Sequence, residues 1–210
     1  MEPRNWSRYR VVSMNTGAFE IILASGSPRR KAFFEEMGIP FSQQVLPVEE
    51  VFPESLSGQA IVEHLVKLKA EPFKSQLKEK QLLITADTIV WHQNQCLGKP
   101  QNKKEAKQML QALSGDTHQV MTAVGFLHKG GWDSLCCCSE VVFSNIKTAD
   151  IDAYIATGSP LDKAGAYGIQ DSFGIRFVNS IRGSYTNIIG LPVAQVFEKL
   201  EELTKKWATF

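Results

Sequence analysis

FEIILASGSPRRKAFFEEMG, residues Phe19 to Gly38, decides the fold class of this chain. FEIILAS (Phe19 to Ser25) is an apolar run of strand length ending at a glycine, the pattern of a buried strand. Gly26 to Gly38 reads as a helix: Ser27 stands at the N-cap, Pro28 fills the first helical position with its φ already set, and Gly38 follows the last turn. A strand joined to a helix by one tight turn is the repeating unit of α/β folds.

This stretch breaks a rule of helix construction. A helix start carries unpaired N–H groups and the positive end of the macrodipole, which disfavours cations there by roughly 0.3–1 kcal/mol each. Arg29, Arg30 and Lys31 occupy that turn. Solvated arginines are one reading of it; a multivalent anion seated on the turn, phosphate above all, is the other. Gly26 lets the backbone come close to a ligand, and Ser25 and Ser27 add hydroxyls beside it.

Downstream, Phe41 to Val45 reads as a short strand, followed by a loop with Glu49 and Glu50 and a helix from about Ser57 past Lys69, with Ile61, Leu65 and Leu68 on one face. Gln81 to Trp91 is expected to form a strand interrupted by Asp87, with a turn at Gln93 to Gln95. Lys103 to Leu113 is an amphipathic helix, and Thr117 to Leu127 and Trp132 to Phe143 form a hairpin around Lys129-Gly130-Gly131. A helix at Thr148 to Ala156, a glycine-rich segment, a strand near Phe173 to Asn179, a loop at RGSY and a helix at Val193 to Lys205 complete the chain. With no internal repeat or linker, one mixed α/β unit of two lobes with a central cleft is expected over residues 19–210, and residues 1–18, which lack periodicity, as a poorly ordered extension.

Composition narrows the functional classes. At 43% hydrophobic and 21% charged, the 210-residue chain is in the ordinary globular range, and its formal net charge of +1 provides no global field for a polyanion, so no nucleic acid partner is expected. No run approaches the ~20 apolar residues of a membrane span. The first residues lack the apolar core and cleavage site of a secretory signal, so a cytoplasmic protein is expected. Cys96 and the run Cys136, Cys137 and Cys138 have no metal or disulfide spacing and read as reduced thiols in or near a strand. His64, His92, His118 and His128 are scattered without ligand spacing and read as non-ligands.

Asp87 stands inside LLITADTIVW, where an ionised carboxylate must be paired, hydrogen-bonded, metal-bound or proton-active. A turn aspartate capping Thr88 is the plainer alternative. Lys99 and Lys69 read in isolation as solvated cations, and Glu49 and Glu50 as a solvated pair that is also able to hold a hard divalent cation. In DKAGAYGIQ, Gln170 offers a donor and an acceptor, matching a pyrimidine edge, beside small residues that admit a flat ligand; an exposed amide on a glycine-rich turn is the alternative.

Taken together, LASGSPRR (Leu23 to Arg30), ADTIV (Ala86 to Val90), GKP (Gly98 to Pro100), LSGDTHQVMTAV (Leu113 to Val124), DKAGAYGIQ (Asp162 to Gln170), GSY (Gly183 to Tyr185) and IGLP (Ile189 to Pro192) resemble the Maf family of nucleotide pyrophosphatases. The resemblance implies an α/β fold related to the inosine triphosphate pyrophosphatases, a homodimer, and hydrolysis of a nucleoside triphosphate to the monophosphate and pyrophosphate with Mg²⁺ or Mn²⁺. It implies Asp87 as proton acceptor, Arg30, Lys69 and Lys99 on the phosphates, Ser25 and Ser27 beside them, Glu50 with Asp87 as metal ligands, and Arg29, Thr88 and Gln170 in base choice. The ADT and GAYGIQ strings resemble the branch acting on dTTP and UTP rather than that acting on 7-methyl-GTP. The chain departs from the family pattern in its extension before Phe19, in Phe33-Phe34, and in Asp171, which stands where glycine is common beside the expected base pocket. A nucleotide-sensing regulator of cell division without turnover is the rival class; it needs the anion pocket but no general base.

Overall fold

A computed structural model of the chain describes residues 19–207; the expected extension at 1–18 lies outside them. Seven strands form one sheet in the order β2-β1-β3-β5-β6-β7, with β4 added to β3: β1 is Glu20–Leu23, β2 Phe41–Gln43, β3 Gln81–His92, β4 Gln95–Leu97, β5 Thr117–His128, β6 Gly131–Phe143 and β7 Val178–Arg182. β1 pairs in parallel with β2 and β3, and every other pairing is antiparallel. The mixed α/β architecture expected from the sequence is present. Among the described residues seven α-helices accompany the sheet: α1 Pro28–Glu36, α2 Gln59–Ala70, α3 Lys103–Leu113, α4 Thr148–Ala156, α5 Ser172–Phe177, α6 Tyr185–Ile189 and α7 Val193–Trp207.

Alternation along the strands distributes the core. Leu82, Ile84 and Ala86 of β3, with Val124 and Phe126 of β5, meet Phe34 of α1 and Val196, Leu200 and Leu203 of α7. Farther along the same face, Val90 and Val120 meet Leu110 and Leu113 of α3, Ile151 and Tyr154 of α4, and Phe173 of α5. The opposite face, through Ile89, Met121 and Ala123, is covered by Ile61, Val62, Leu65 and Val66 of α2. On the first face the two apolar cores are separated by Thr88 and Thr122, which face each other across β3 and β5.

Three expectations are corrected. Asp87 does not interrupt its strand: β3 runs through it, with Asp87 opposite Ala123 in an unbroken ladder to β5. The segment near Phe173 begins as helix α5, which buries Phe173, Gly174 and Phe177; β7 starts only at Val178, because the alternation of F-G-I-R-F also fits one helical face. RGSY leads into helix α6, whose five residues are too few for a periodic signal; Ser184 caps it by accepting from Asn187 N, and Gly190 ends it.

His118 of β5 is 2% exposed and sits edge-on to Phe143 and Tyr167, with Nε2 2.7 Å from the Tyr167 hydroxyl. Burial pushes its pKa down to about 4, with His92 adding to the shift and Asp116 opposing it. An unfolded imidazole titrates near 6.5, so below that pH the unfolded chain binds a proton the folded chain refuses. Stability is therefore lost as pH falls from about 6.5 to about 4, by roughly 3 kcal/mol in all. His118→Gln, which has no such proton to take up, is expected to lose less stability than the wild type between pH 7 and pH 4.5 in paired urea melts. Equal losses would contradict the assignment.

Candidate active site

β3 is bordered on one edge by β5 along Leu83–Trp91, while the other edge is shared by two short strands. β1 covers Gln81–Ile84 and β4 covers Val90–His92. Among the described residues Thr85 to Ile89 therefore have a strand neighbour on one side only, and a cavity of about 700 Å³ opens at this gap. Neighbouring strand residues point to opposite faces, so Asp87 enters the cavity from the α2 side of the sheet and Thr88 from the α1 side. All ten candidate residues line this one cavity: Ser25, Ser27, Arg29, Arg30, Glu50, Lys69, Asp87, Thr88, Lys99 and Gln170.

Asp87 is 8% exposed, and its charge is held on two sides. Oδ1 accepts the Thr88 N–H at 2.8 Å, the contact of the turn-aspartate alternative made within a strand, and Oδ2 lies 3.3 Å from Lys69 Nζ. The same ammonium is 2.9 Å from Glu50 Oε1, so α2 supplies a lysine that bridges a strand carboxylate and a loop carboxylate. Glu49, its neighbour in sequence, does not line the cavity.

Arg30 is gripped by neutral oxygens. Its Nε donates to Gly190 O at 2.8 Å, Nη1 to Ser25 Oγ at 3.2 Å and Nη2 to Thr88 Oγ1 at 3.0 Å. Gly190 has φ +123°, a backbone that a Cβ would strain, and it turns the end of α6 toward the guanidinium. Burial holds the Arg30 pKa below its usual value; Asp87 opposes this, Arg29 adds to it and Glu50 opposes it. Ser25 Oγ also accepts from Ser27 N at 3.3 Å, and among the described residues its own proton meets no acceptor. Ser27 caps α1 as read from the sequence, accepting Arg30 N at 3.4 Å.

The expected trio of cations at the start of α1 divides three ways. Lys31 leaves the site and pairs with Glu35 along the helix at 3.6 Å. Arg29 reaches Asp162 at 3.6 Å, so α1 touches the segment that carries DKAGAYGIQ. Lys163 is held by Asp162 at 2.6 Å and Asp171 at 3.6 Å. Of the five cations lining the cavity (Arg29, Arg30, Lys69, Lys99 and Lys163), three thus lie within 4.0 Å of a carboxylate and two, Arg30 and Lys99, do not. Lys99 and Gln170 are exposed, and among the described residues their side chains make no hydrogen bond. Asp171, the departure from the family pattern, accepts from Tyr154 Oη at 2.6 Å and Ser159 Oγ at 2.8 Å, anchoring the loop beside Gln170.

Among the described residues no group of three or more His, Cys, Asp or Glu is placed to hold a metal ion. Glu50 and Asp87 nonetheless converge on one cationic point, the Lys69 ammonium, and two carboxylate oxygens completed by substrate phosphates are a donor set that suits a hard divalent cation. Cys96 also lines the cavity, but burial, with Asp87 adding, pushes its thiol up to about 11, so it is protonated at neutral pH and is no nucleophile. Sequence reasoning missed the groups that seat Arg30: the Gly190 carbonyl, and Thr122 and Asn187 behind Thr88. The signal for the last two is a polar residue within an apolar run, in VMTAV and TNII.

The model of the Maf-like protein family matches residues 20–203. The dTTP/UTP pyrophosphatase of Flavobacterium johnsoniae is 45% identical over 185 residues, covering 88% of this chain and 95% of that protein. Those of Christiangramia forsetii (45% identical; 88% and 94% covered) and Phocaeicola vulgatus (42% identical; 90% and 98% covered) are similar at nearly the same level. Among solved structures, the Staphylococcus aureus Ham1 protein aligns with a TM-score of 0.42 at 14% identity, over 61% of this chain and 73% of that one. With the family model spanning nearly all of the described residues and relatives this similar along almost their whole length, the chain belongs to the Maf family.

Proposed function

We propose that this chain is a nucleoside triphosphate pyrophosphatase that cleaves dTTP and UTP between the α and β phosphates, releasing the monophosphate and pyrophosphate. One observation carries the proposal: a buried strand carboxylate shares its cavity with two cations, Arg30 and Lys99, that among the described residues lie within 4.0 Å of no carboxylate. A triphosphate brings about four negative charges, and burying them requires cations and N–H donors. The relatives named above add the choice of nucleotide.

In the mechanism, water attacks the α phosphorus, Asp87 accepts its proton, and the bond to the bridging oxygen breaks so that pyrophosphate leaves with the electron pair. Arg30 from α1 and Lys99 from the segment after β4 meet the phosphates from the two sides of the gap and oppose the charge that grows on the leaving group. The Lys69 ammonium bridges the Asp87 and Glu50 carboxylates and holds them close together. Glu50 and Asp87 would hold a Mg²⁺ or Mn²⁺ ion, whose chemistry when bound is to neutralise phosphate charge and acidify a water molecule. Arg29, Thr88 and Gln170 would face the nucleoside, and Ser25 and Ser27 the phosphates. No helix of the described residues is long and apolar enough to cross a membrane. Residence in the reducing cytoplasm accords with four free thiols, a homodimer with the exposed Ile181 and Tyr185 at and beside the edge strand β7, and a free nucleotide rather than a nucleic acid with the net charge of +1.

Pyrophosphate release measured over dTTP, UTP, CTP and 7-methyl-GTP with Mg²⁺ or Mn²⁺ is expected to be fastest with the first two. A chain that binds UTP without consuming it would be the nucleotide sensor instead. Asp87→Asn is expected to lower kcat by at least ~10²-fold while nucleotide binding stays measurable; near-wild-type turnover would remove Asp87 from its role. Lys99→Ala should lower the rate by about 10²–10³, and unchanged kinetics would remove Lys99 from the site. Gly26 has an unrestricted backbone, and an added Cβ would meet no protein atom closer than Val45 Cγ2 at 3.9 Å. Gly26→Ala should therefore leave the melting temperature within a few degrees while raising KM about tenfold by crowding the ligand; an unchanged KM would show that no phosphate approaches this backbone.

A further inference from the structure

The polar residues between the two apolar cores form one hydrogen-bonded chain that starts at Arg30. Nη2 donates to Thr88 Oγ1, which lies 2.9 Å from Thr122 Oγ1, and Thr122 donates to Asn187 O at 2.9 Å. Each hydroxyl has a single proton and a guanidinium accepts nothing. The Thr122 proton is committed to Asn187 O, so Thr88 must donate to Thr122, and the order of donation runs one way from Arg30 into the sheet. Asn187 Nδ2 continues to Val120 O at 3.0 Å and Ser139 Oγ at 2.9 Å, and Ser139 donates to Ser184 O at 3.0 Å.

Both ends of α6 are thereby tied down. The helix grips the guanidinium directly through Gly190 O and indirectly, through two threonines, by Asn187 O. Thr122 and Asn187 are wholly buried and neither lines the cavity. Stability alone is a poor account of them, because among the described residues Asn187 Oδ1 is buried without a hydrogen-bond partner, and an apolar side chain in its place would join the two flanking cores.

We propose that Thr122 and Asn187 are positioning residues for Arg30. They make α6 a splint that fixes the plane of the guanidinium against the phosphates, and they commit the Thr88 proton so that Thr88 meets a substrate only as an acceptor. The proposal rests on the reading of the cavity as a triphosphate site. Aligned donors act only when held where charge develops, so loss of the splint should appear in turnover more than in stability.

The experiment compares Thr122→Val, which keeps the shape and removes the hydroxyl, with Thr122→Ser, which keeps the hydroxyl; Thr122→Ala serves as a second hydroxyl-free variant should valine impair folding. With dTTP as substrate, kcat should fall about tenfold in the hydroxyl-free variant and stay within about threefold of the wild type in Thr122→Ser. Added to Arg30→Met, the hydroxyl-free change should cost little further, because both act through one group. Wild-type turnover without the hydroxyl, or a loss undiminished in the Arg30→Met background, would overturn the proposal. A wild type that releases pyrophosphate from no nucleotide would instead sink the reading of the cavity. The relay is then judged by NMR of the Arg30 Nη protons: sharp in the wild type and Thr122→Ser but broadened by guanidinium rotation without the hydroxyl supports it, and equal sharpness in all three overturns it.

Discussion

The interrupted edge of β3 is the constraint on which the molecule depends. An antiparallel ladder to β5 holds one side of the strand continuously, while β1 and β4 share the other and leave Thr85 to Ile89 without a strand neighbour there. A sheet edge normally exposes a row of backbone groups; here that stretch opens into the cavity. The backbone of the site is therefore fixed by β5, and alternation delivers Asp87 from one face and Thr88 from the other into the same space. Elements packed on opposite faces, α2 with Lys69 and α1 with Arg30, thus line one cavity.

Electrostatics follow from that placement. Lys69 lies against two carboxylates, so buried Asp87 has a cationic partner within the protein. Arg30 is compensated by carbonyl and hydroxyl dipoles instead, which seat it without cancelling its charge. A cation held in this way favours an incoming anion, and growing negative charge more still. Lys99, after β4, is exposed and lines the cavity with no ion pair or side-chain hydrogen bond among the described residues.

Much of the fold was legible because its signals are local. The cap of α1, the extents of α3 and α4 and the hairpin of β5 and β6 follow from caps, periodicity and turn residues within each segment. The two short helices α5 and α6 were not legible, since six and five residues carry no periodic signature and their burial comes from remote partners. Each cavity residue was legible as a type: a carboxylate in an apolar strand, cations at a helix start, an amide on a small-residue turn. Their meeting was suggested by family resemblance rather than by spacing. The seat of Arg30 was hidden for a physical reason. Of its three partners only Ser25 is local; the other two lie 58 and 160 residues away in the chain, and one of these is a backbone carbonyl, which no side-chain pattern announces.

In the proposed site a triphosphate lies along this gap with its α phosphorus beside Asp87. A crystal structure with an α,β-imido analogue of dTTP would show where the phosphates sit. Phosphate oxygens are expected on Arg30 and Lys99, with the α phosphorus within one water molecule of the Asp87 carboxylate. An analogue seated with its base at Asp87, or with its phosphates outside the reach of Arg30 and Lys99, would contradict that placement.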